Sequence, residues 1–206
     1  MHDTPRPHDL LWGMRPEQLP IDAPAWAIAV LSAGHPVVVR RARTAPGLVA
    51  VGLRGASREQ RLAALMPVEA IRRRVTPEAL GACETADDLP AIQALRRLRS
   101  SLDACGHAWG VTGSVGFQLA SGLPVATSAS DLDLLLRVPQ PLSISAARAL
   151  CERLDDASCR VDMQLETPFG AVALREWASG AARVMLKADD GPRLLRDPWQ
   201  APEQAA

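Results

Sequence analysis

Asp131 and Asp133 flank Leu132 at the start of an apolar run that continues through Leu134–Leu136. Because successive side chains of a β-strand point to opposite faces, a strand here would project both carboxylates together and turn Leu132, Leu134 and Leu136 toward a core. Two carboxylates held side by side repel each other unless a cation lies between them. Magnesium, which takes one or two protein carboxylates together with phosphate oxygens, is the cation that this pattern favours. The alternative is an exposed strand end that binds nothing.

Gly113 and Ser114 precede this pair, between a predicted strand over Ala108–Thr112 and a predicted helix that starts at Val115. A glycine lets the backbone approach a phosphate closely, and the turn offers N–H donors and a hydroxyl. Ser114 could instead only cap the helix, a role that is compatible with phosphate binding at the same N-terminus. Together with the paired carboxylates, the turn predicts metal-assisted transfer at a phosphate.

Asp162 is a third candidate, because it lies between two apolar residues in a predicted strand over Cys159–Leu165. Strand alternation places its side chain on the same face as Arg160 and Gln164, away from the core. It is either a further carboxylate of the site or an ion-pair partner of Arg160.

The elements around these residues predict an α+β protein with two domains. In the first part, we expect a helix over Ala25–Ser32, a hairpin of strands over Pro36–Arg40 and Leu48–Gly52, and helices over Arg58–Leu65 and Val68–Val75. A small α+β domain over residues 1–80 and a second domain over residues 81–206 follow from this pattern.

The domain boundary is placed in the segment Thr76–Pro90, which is rich in proline, glycine and acidic residues. Beyond it, apolar residues at helical spacing predict a helix over Ala91–Ala104, and a further helix is expected over Ser143–Leu154.

Composition narrows the possible functions. The 206 residues are 48% hydrophobic and 22% charged, which is ordinary for a globular protein, and no apolar run approaches the roughly 20 residues of a membrane span. We expect a cytoplasmic protein, since the N-terminus lacks a signal pattern. Zero net charge, no tyrosine and only two phenylalanines speak against a nucleic-acid partner. The four cysteines have no zinc-site spacing and are expected to be reduced thiols.

The order of a Gly-Ser turn, an Asp-x-Asp strand and a strand with one further aspartate resembles the nucleotidyltransferase superfamily of the DNA polymerase β type. The resemblance implies a mixed sheet flanked by helices, with magnesium bound by Asp131, Asp133 and Asp162. It also implies that Gly113 and Ser114 grip a triphosphate, while Asp162 is both a metal ligand and the base that takes the proton of the acceptor hydroxyl. The interval between Ser114 and Asp131 is longer than is usual in that superfamily.

A narrower resemblance runs from residue 8 to about residue 196, and it depends on short motifs whose order and co-occurrence make it specific. The motifs are His8–Trp12, Pro36–Arg41, Gly113-Ser114 with Phe117-Gln118 and Ser121-Gly122, Ser130–Leu135, Ala173–Trp177 and Gly191–Leu195. Taken together, they make the chain similar to the malonate decarboxylase holo-acyl-carrier-protein synthases, also called phosphoribosyl-dephospho-CoA transferases.

This resemblance implies a reaction and its partners. The phosphoribosyl-dephospho-CoA group of 2'-(5''-triphosphoribosyl)-3'-dephospho-CoA would be transferred to a serine of the acyl-carrier subunit of malonate decarboxylase, with release of pyrophosphate. One alternative is a nucleotidyltransferase that acts on another small-molecule or protein acceptor. Another is an inactive module that only binds the carrier protein.

Three more residues are candidates for substrate binding. Gln118 and Ser130 lie near the predicted turn and the predicted metal ligands, but they could equally belong to a plain helix surface and a plain loop. Lys187, the chain's one lysine, either neutralises the triphosphate or solvates a strand end. Two arginine groups, Arg72–Arg74 and the arginines of segment 96–99, are solvated helix faces or docking sites for an acidic carrier or for substrate phosphates.

Overall fold

The computed structural model describes residues 4–57 and 59–201, which divide into two compact units. The first unit ends at Thr76 and the second begins at Pro77. The division therefore lies at the start of the segment Thr76–Pro90, a few residues before the division predicted after residue 80. Both units combine helices with β-sheet, and the predicted α+β class is confirmed.

The first unit is an antiparallel sheet covered by a helix on one face. Its strands are β1 (Leu10–Trp12), β2 (Val37–Val39), β3 (Leu48–Arg54), β4 (Arg61–Pro67) and β5 (Arg73–Val75), in the order β4-β3-β2-β1-β5. Helix α1 (Ala25–Ser32) buries Ala27 and Leu31 in a core with Leu11, Val51 and Met66. The predicted first helix and the β2–β3 hairpin are confirmed.

The two predicted helices at the end of this unit are wrong. Residues 61–67 are a strand that pairs with β3 along its whole length, and residues 68–75 form a 3-10 turn followed by β5. Along β4, Leu62, Ala64 and Met66 face the core while the residues between them face outward. The period is therefore two, and strand pairing overrides the helix propensity of leucine and alanine. Arg58 lies outside the described residues.

The second unit is built on a six-stranded mixed sheet of order β11-β10-β9-β8-β7-β6. Its strands are β6 (Trp109–Val111), β7 (Leu132–Arg137), β8 (Val161–Thr167), β9 (Gly170–Ala173), β10 (Val184–Ala188) and β11 (Gly191–Leu195). Strands β7 and β8 are parallel, and the other neighbours are antiparallel. The mixed sheet predicted for this unit is therefore present.

Five helices accompany this sheet: α2 (Pro77–Leu80), α3 (Pro90–Asp103), α4 (Gly113–Ser121), α5 (Ile144–Asp155) and α6 (Leu174–Ala178). Helices α3 and α4 pack against β7, and α6 packs against β8. Helix α5 is the crossover that a parallel strand pair requires, and the hydroxyl of Ser143 caps it by accepting a hydrogen bond from the Ala146 amide at 3.1 Å. The predicted helices over 91–104 and 143–154 are confirmed to within one residue at each end.

The core of this unit lies along the parallel pair. On one face of its central strands, the buried residues are Leu132, Leu134, Leu136, Val161, Met163 and Leu165. Alternation then turns the intervening side chains of β7 and β8 to the opposite face of the sheet. Within the described ranges, no helix combines the length and apolarity that crossing a membrane demands.

Candidate active site

Asp133 and Asp162 are directly opposite each other on the parallel strands β7 and β8. Neighbouring strands lie roughly 4.8 Å apart, so the two carboxylates start from adjacent backbone positions on one face of the sheet. Both side chains are partly exposed, while their sequence neighbours on the other face are buried. The structure thus brings together two of the three predicted carboxylates.

Asp131 lies just before β7, at the same edge of the sheet. The main chain of the two strands is joined there by a hydrogen bond of 3.0 Å from the Leu132 amide to the Arg160 carbonyl. Partial burial raises the pKa of the adjacent Cys159 thiol, and the negative charge of Asp131 raises it further. Asp131 is therefore close to the beginning of β8 as well as to the beginning of β7.

Gly113 brings the predicted turn into contact with this pair. Its φ of +63° is in the left-handed region, and a Cβ added there would overlap Oδ2 of Asp133 and lie 2.7 Å from its Cγ. The Thr112 amide also donates a hydrogen bond of 2.9 Å to the Asp133 carbonyl. Only glycine satisfies both the backbone conformation and the close approach to the carboxylate.

Ser114 lies in the first turn of α4 and is half-buried. The N-cap position is Thr112 rather than Ser114, and the Ser114 hydroxyl has no hydrogen-bond partner within residues 4–57 and 59–201. The first amides of a helix have no acceptor within the helix, so α4 presents N–H donors and this hydroxyl next to Asp133. Such a helix N-terminus is suited to binding a phosphate oxygen.

Gln118 and Ser130 shape the loop that joins α4 to β7. The buried Gln118 amide donates a hydrogen bond of 2.6 Å to Asp87 and accepts one of 2.9 Å from the Ala126 amide. The buried Ser130 hydroxyl accepts a hydrogen bond of 2.9 Å from the Thr127 amide. Both ends of the Gln118 amide are thus bonded within the protein, and both residues stabilise the loop; their contact with a substrate stays a prediction.

Lys187 does not lie near the predicted metal ligands. It pairs with Ala171 on β9, which in turn pairs with Glu166 on β8, four residues beyond Asp162. Strand geometry places it roughly 13 Å along the sheet and about 10 Å across it from Asp162. The structure gives this side chain an exposed position at a distance from the predicted metal ligands.

Two arginines, rather than Lys187, lie near Asp162. Nη2 of Arg160 is 3.0 Å from Oδ2 and 3.3 Å from Oδ1 of Asp162, so the predicted alternative of an ion pair between them is present. Arg175 on α6 pairs with Asp155 at 2.7 Å, and this bond, with a smaller contribution from the charge of Asp162, raises its pKa. The position of Arg160 could be read from strand alternation, whereas that of Arg175 depends on the packing of α6.

The residues present fit a magnesium ion held by a pair of carboxylates. Among the described residues, no group of three histidine, cysteine, aspartate or glutamate side chains is arranged to hold a metal. Magnesium commonly uses only one or two protein carboxylates and completes its coordination with water and phosphate oxygens. Asp133 and Asp162 can supply such a pair, beside the N-terminus of α4.

A buried ion network lies at the other end of the same sheet face. Nε of Arg137 is 2.7 Å from Oε1 of Glu78, and its Nη1 is 3.6 Å from Oε2 of Glu166. Arg137 and Glu166 are neighbours on β7 and β8, in the same register that pairs the aspartates. The network holds α2 against the sheet and stabilises the register of β7 against β8.

The arginine groups have different surroundings in the two units. In α3, Arg99 pairs with Glu84, and Arg96 donates a hydrogen bond of 3.0 Å to the Asp87 carbonyl, so both hold the preceding loop. The guanidinium of Arg73 lies 4.3 Å from the ring centroid of Trp12.

A cavity of about 710 Å³ lies in the first unit and is lined mainly by apolar residues and by Arg72–Arg74. This volume is within the range of small-molecule sites. Among the described residues, no carboxylate lines this cavity.

Comparisons with known proteins match both units. The family model described as phosphoribosyl-dephospho-CoA transferase MdcG N-terminal domain matches residues 6–77, and the corresponding C-terminal domain model matches residues 79–198. A relative from Pseudomonas fluorescens (strain Pf0-1), named phosphoribosyl-dephospho-CoA transferase, is 60% identical over 206 residues, covering 100% of both chains.

Two further relatives carry the same name. The one from Azotobacter vinelandii is 58% identical and covers 97% of this chain and 98% of its own. The one from Pseudomonas aeruginosa is 56% identical, with 98% and 97% covered. No solved structure matches the chain.

Proposed function

The chain belongs to the phosphoribosyl-dephospho-CoA transferase family, which makes it an enzyme, and from this premise we propose its acceptor and its catalytic residues. The acceptor is a serine of the acyl-carrier subunit of malonate decarboxylase. The donor is 2'-(5''-triphosphoribosyl)-3'-dephospho-CoA, and the second product is pyrophosphate. The observation that carries the proposal is the register of Asp133 against Asp162, next to the helix end that begins at Gly113.

The N-terminus of α4 binds the phosphate groups of the donor. Gly113 allows the chain to turn against Asp133, and the first amides of the helix and the Ser114 hydroxyl then donate to phosphate oxygens. Because the helix fixes these N–H and O–H groups, they orient the triphosphoribosyl substrate without reorganising when it binds.

Asp133 and Asp162 hold magnesium, and Asp131 at the beginning of β7 is the proposed third carboxylate. When bound, magnesium neutralises charge on the phosphate oxygens and favours departure of pyrophosphate. In the transfer step, the serine oxygen of the carrier forms a bond to the α-phosphorus, and the bond from that phosphorus to the bridging oxygen of the leaving pyrophosphate breaks. Asp162 on β8, whose side chain is 39% exposed, takes the proton of the serine hydroxyl.

The basic first unit supports an anionic partner. Arg72 and Arg73 have no carboxylate partner among residues 4–57 and 59–201, so their charge is not neutralised within the described protein. Exposed guanidinium groups attract acidic surfaces and phosphates and speed their association. This unit is therefore proposed to recognise the acidic carrier subunit or the phosphates of the donor.

Intact-mass measurement of the carrier tests this proposal. The chain is incubated with magnesium, the apo carrier subunit and the triphosphoribosyl donor, and pyrophosphate release is followed in parallel. We expect the carrier to gain the mass of one phosphoribosyl-dephospho-CoA group, and Asp133→Asn to prevent the gain. The matched control is Asp156→Asn, which changes an exposed aspartate at the end of α5.

Other outcomes identify the alternatives. An unchanged carrier mass contradicts the proposed acceptor, and pyrophosphate release with a different molecule would favour a transferase with another acceptor. Carrier binding without pyrophosphate release or mass gain would favour an inactive binding module.

A further inference from the structure

We propose that Arg160 changes partner during the reaction cycle: it neutralises Asp162 before loading and binds the triphosphate of the donor once magnesium takes Asp162. The inference rests on the proposed function, because it assumes that Asp162 is a metal ligand and that the ligand carries a polyphosphate. It adds a phosphate-binding residue and an order of events that the proposed function does not contain.

The geometry of the pair makes Arg160 and magnesium alternatives for the same oxygens. A single nitrogen of Arg160 lies within 3.3 Å of both carboxylate oxygens of Asp162. A metal ion bound to those oxygens would occupy the same space and carry more charge. Loading the site therefore requires the guanidinium to leave, and leaving is easy because 71% of the Arg160 side chain is exposed and exposed ion pairs contribute little.

The backbone keeps the released guanidinium at the site. The Arg160 carbonyl accepts a hydrogen bond of 3.0 Å from the Leu132 amide, which ties its main chain to the start of β7. Only the side chain is free to swing, and its reach is limited to the edge where Asp131, Asp133 and Asp162 lie. A phosphate group that enters with magnesium arrives within this reach.

Other cations near the site are already engaged or distant. Arg175 is bound to Asp155 at 2.7 Å, and Lys187 is two strands away. Arg160 is thus the arginine that loses its present partner, Asp162, when magnesium binds. A guanidinium also has the planar donor arrangement that matches two oxygens of a phosphate, which an ammonium lacks.

This exchange predicts effects of opposite sign for one substitution. Removing Arg160 removes the competitor for Asp162, so a metal ion alone should bind more tightly. The same substitution removes a phosphate ligand, so polyphosphate should bind more weakly in the presence of the metal. A residue that only stabilises the fold would not produce opposite changes in the two affinities.

The test uses the full chain with two simple probes. Mn²⁺ binding is measured by electron paramagnetic resonance, and binding of inorganic tripolyphosphate in saturating Mg²⁺ is measured by calorimetry. For Arg160→Ala, we expect Mn²⁺ to bind about two- to five-fold more tightly. We expect tripolyphosphate to bind about ten-fold or more weakly.

A charge-conserving variant and a control variant complete the two binding measurements. Arg160→Lys retains the charge but not the paired donors, so it should keep Mn²⁺ affinity near that of the wild type and lose part of the tripolyphosphate affinity. Arg153→Ala, which changes an exposed arginine of α5 with no ion pair among the described residues, should change neither affinity. Mn²⁺ affinity that is unchanged or weaker in Arg160→Ala, or unchanged tripolyphosphate affinity, overturns the inference.

These outcomes separate the inference from the proposed function. If the wild type binds no tripolyphosphate, both fail. If the opposite shifts occur but the carrier is never modified, the role of Arg160 stands and the proposed acceptor is wrong.

Discussion

Gly113→Ala is the substitution that tests the site most directly, because Gly113 joins the turn proposed to bind phosphate to Asp133, a proposed metal ligand. At φ +63°, an alanine costs about 1–2 kcal/mol relative to glycine. Its Cβ would also lie 2.7 Å from Cγ and 2.9 Å from Cβ of Asp133, where ordinary contacts are 3.4–4 Å. The Asp133 side chain must therefore move by about 1 Å, and the total destabilisation should reach about 2–4 kcal/mol.

The displacement of Asp133 should affect activity far more than it affects folding. A misplacement of about 1 Å in a catalytic group lowers the rate by roughly a factor of 100. We therefore expect kcat/KM for carrier modification to fall about 100-fold in Gly113→Ala, while urea denaturation shows a folded protein with a lower midpoint.

Gly122 supplies a matched control at the other end of the same helix. Its φ is +74°, so alanine has a similar backbone cost there, but no atom lies within 4 Å of the added Cβ. Gly122→Ala should lose about 1–2 kcal/mol of unfolding free energy and retain its transfer activity. Equal activities in the two variants would refute the contact between the turn and a catalytic carboxylate.

Three other changes test the remaining parts of the site. Asp162→Asn should lower transfer by at least about 1000-fold with unchanged thermal unfolding, because it removes the proposed metal ligand and proton acceptor, whereas Asp156→Asn should leave transfer unchanged. Asp131→Asn should lower the raised pKa of Cys159, so that at pH 8 more thiolate is present and iodoacetamide labelling is faster; an unchanged rate would place Asp131 elsewhere. Arg137→Met should destabilise the protein by about 3–5 kcal/mol in urea, since it removes the cation that contacts Glu78 and the buried Glu166, and a loss below about 1 kcal/mol would contradict that role.

Local sequence patterns predicted which face of β7 and β8 carries the aspartates, but not the register in which the two strands pair. Alternation of apolar and acidic residues was enough to place Asp133 and Asp162 away from the core. Their register depends on the length and packing of the α5 crossover and on the Arg137 network, which involve residues far apart in the chain. A shift of one residue would have turned Asp162 into the core, so a long-range constraint decides the site.

The predictions that failed did so where tertiary contacts outweigh local preference. Residues 61–67 are rich in leucine and alanine, yet seven consecutive pairings with β3 make them a strand. The position of Gln118 after the turn also did not reveal its partner in the folded chain. Its amide bonds to Asp87, 31 residues earlier, while its contact with a substrate stays a prediction.

The direction of three strands explains why the catalytic groups gather at one edge of the sheet. Because β7 and β8 are parallel, their beginnings lie side by side, and Asp133 meets Asp162. Because β6 is antiparallel to β7, its end meets the beginning of β7, and the chain leaves it directly into Gly113. If β8 ran antiparallel to β7, the residues at its beginning would lie beside the end of β7, about 15 Å from Asp133. The parallel pairing of β7 with β8 is therefore what allows the N-terminus of α4 and two carboxylates to share one proposed site.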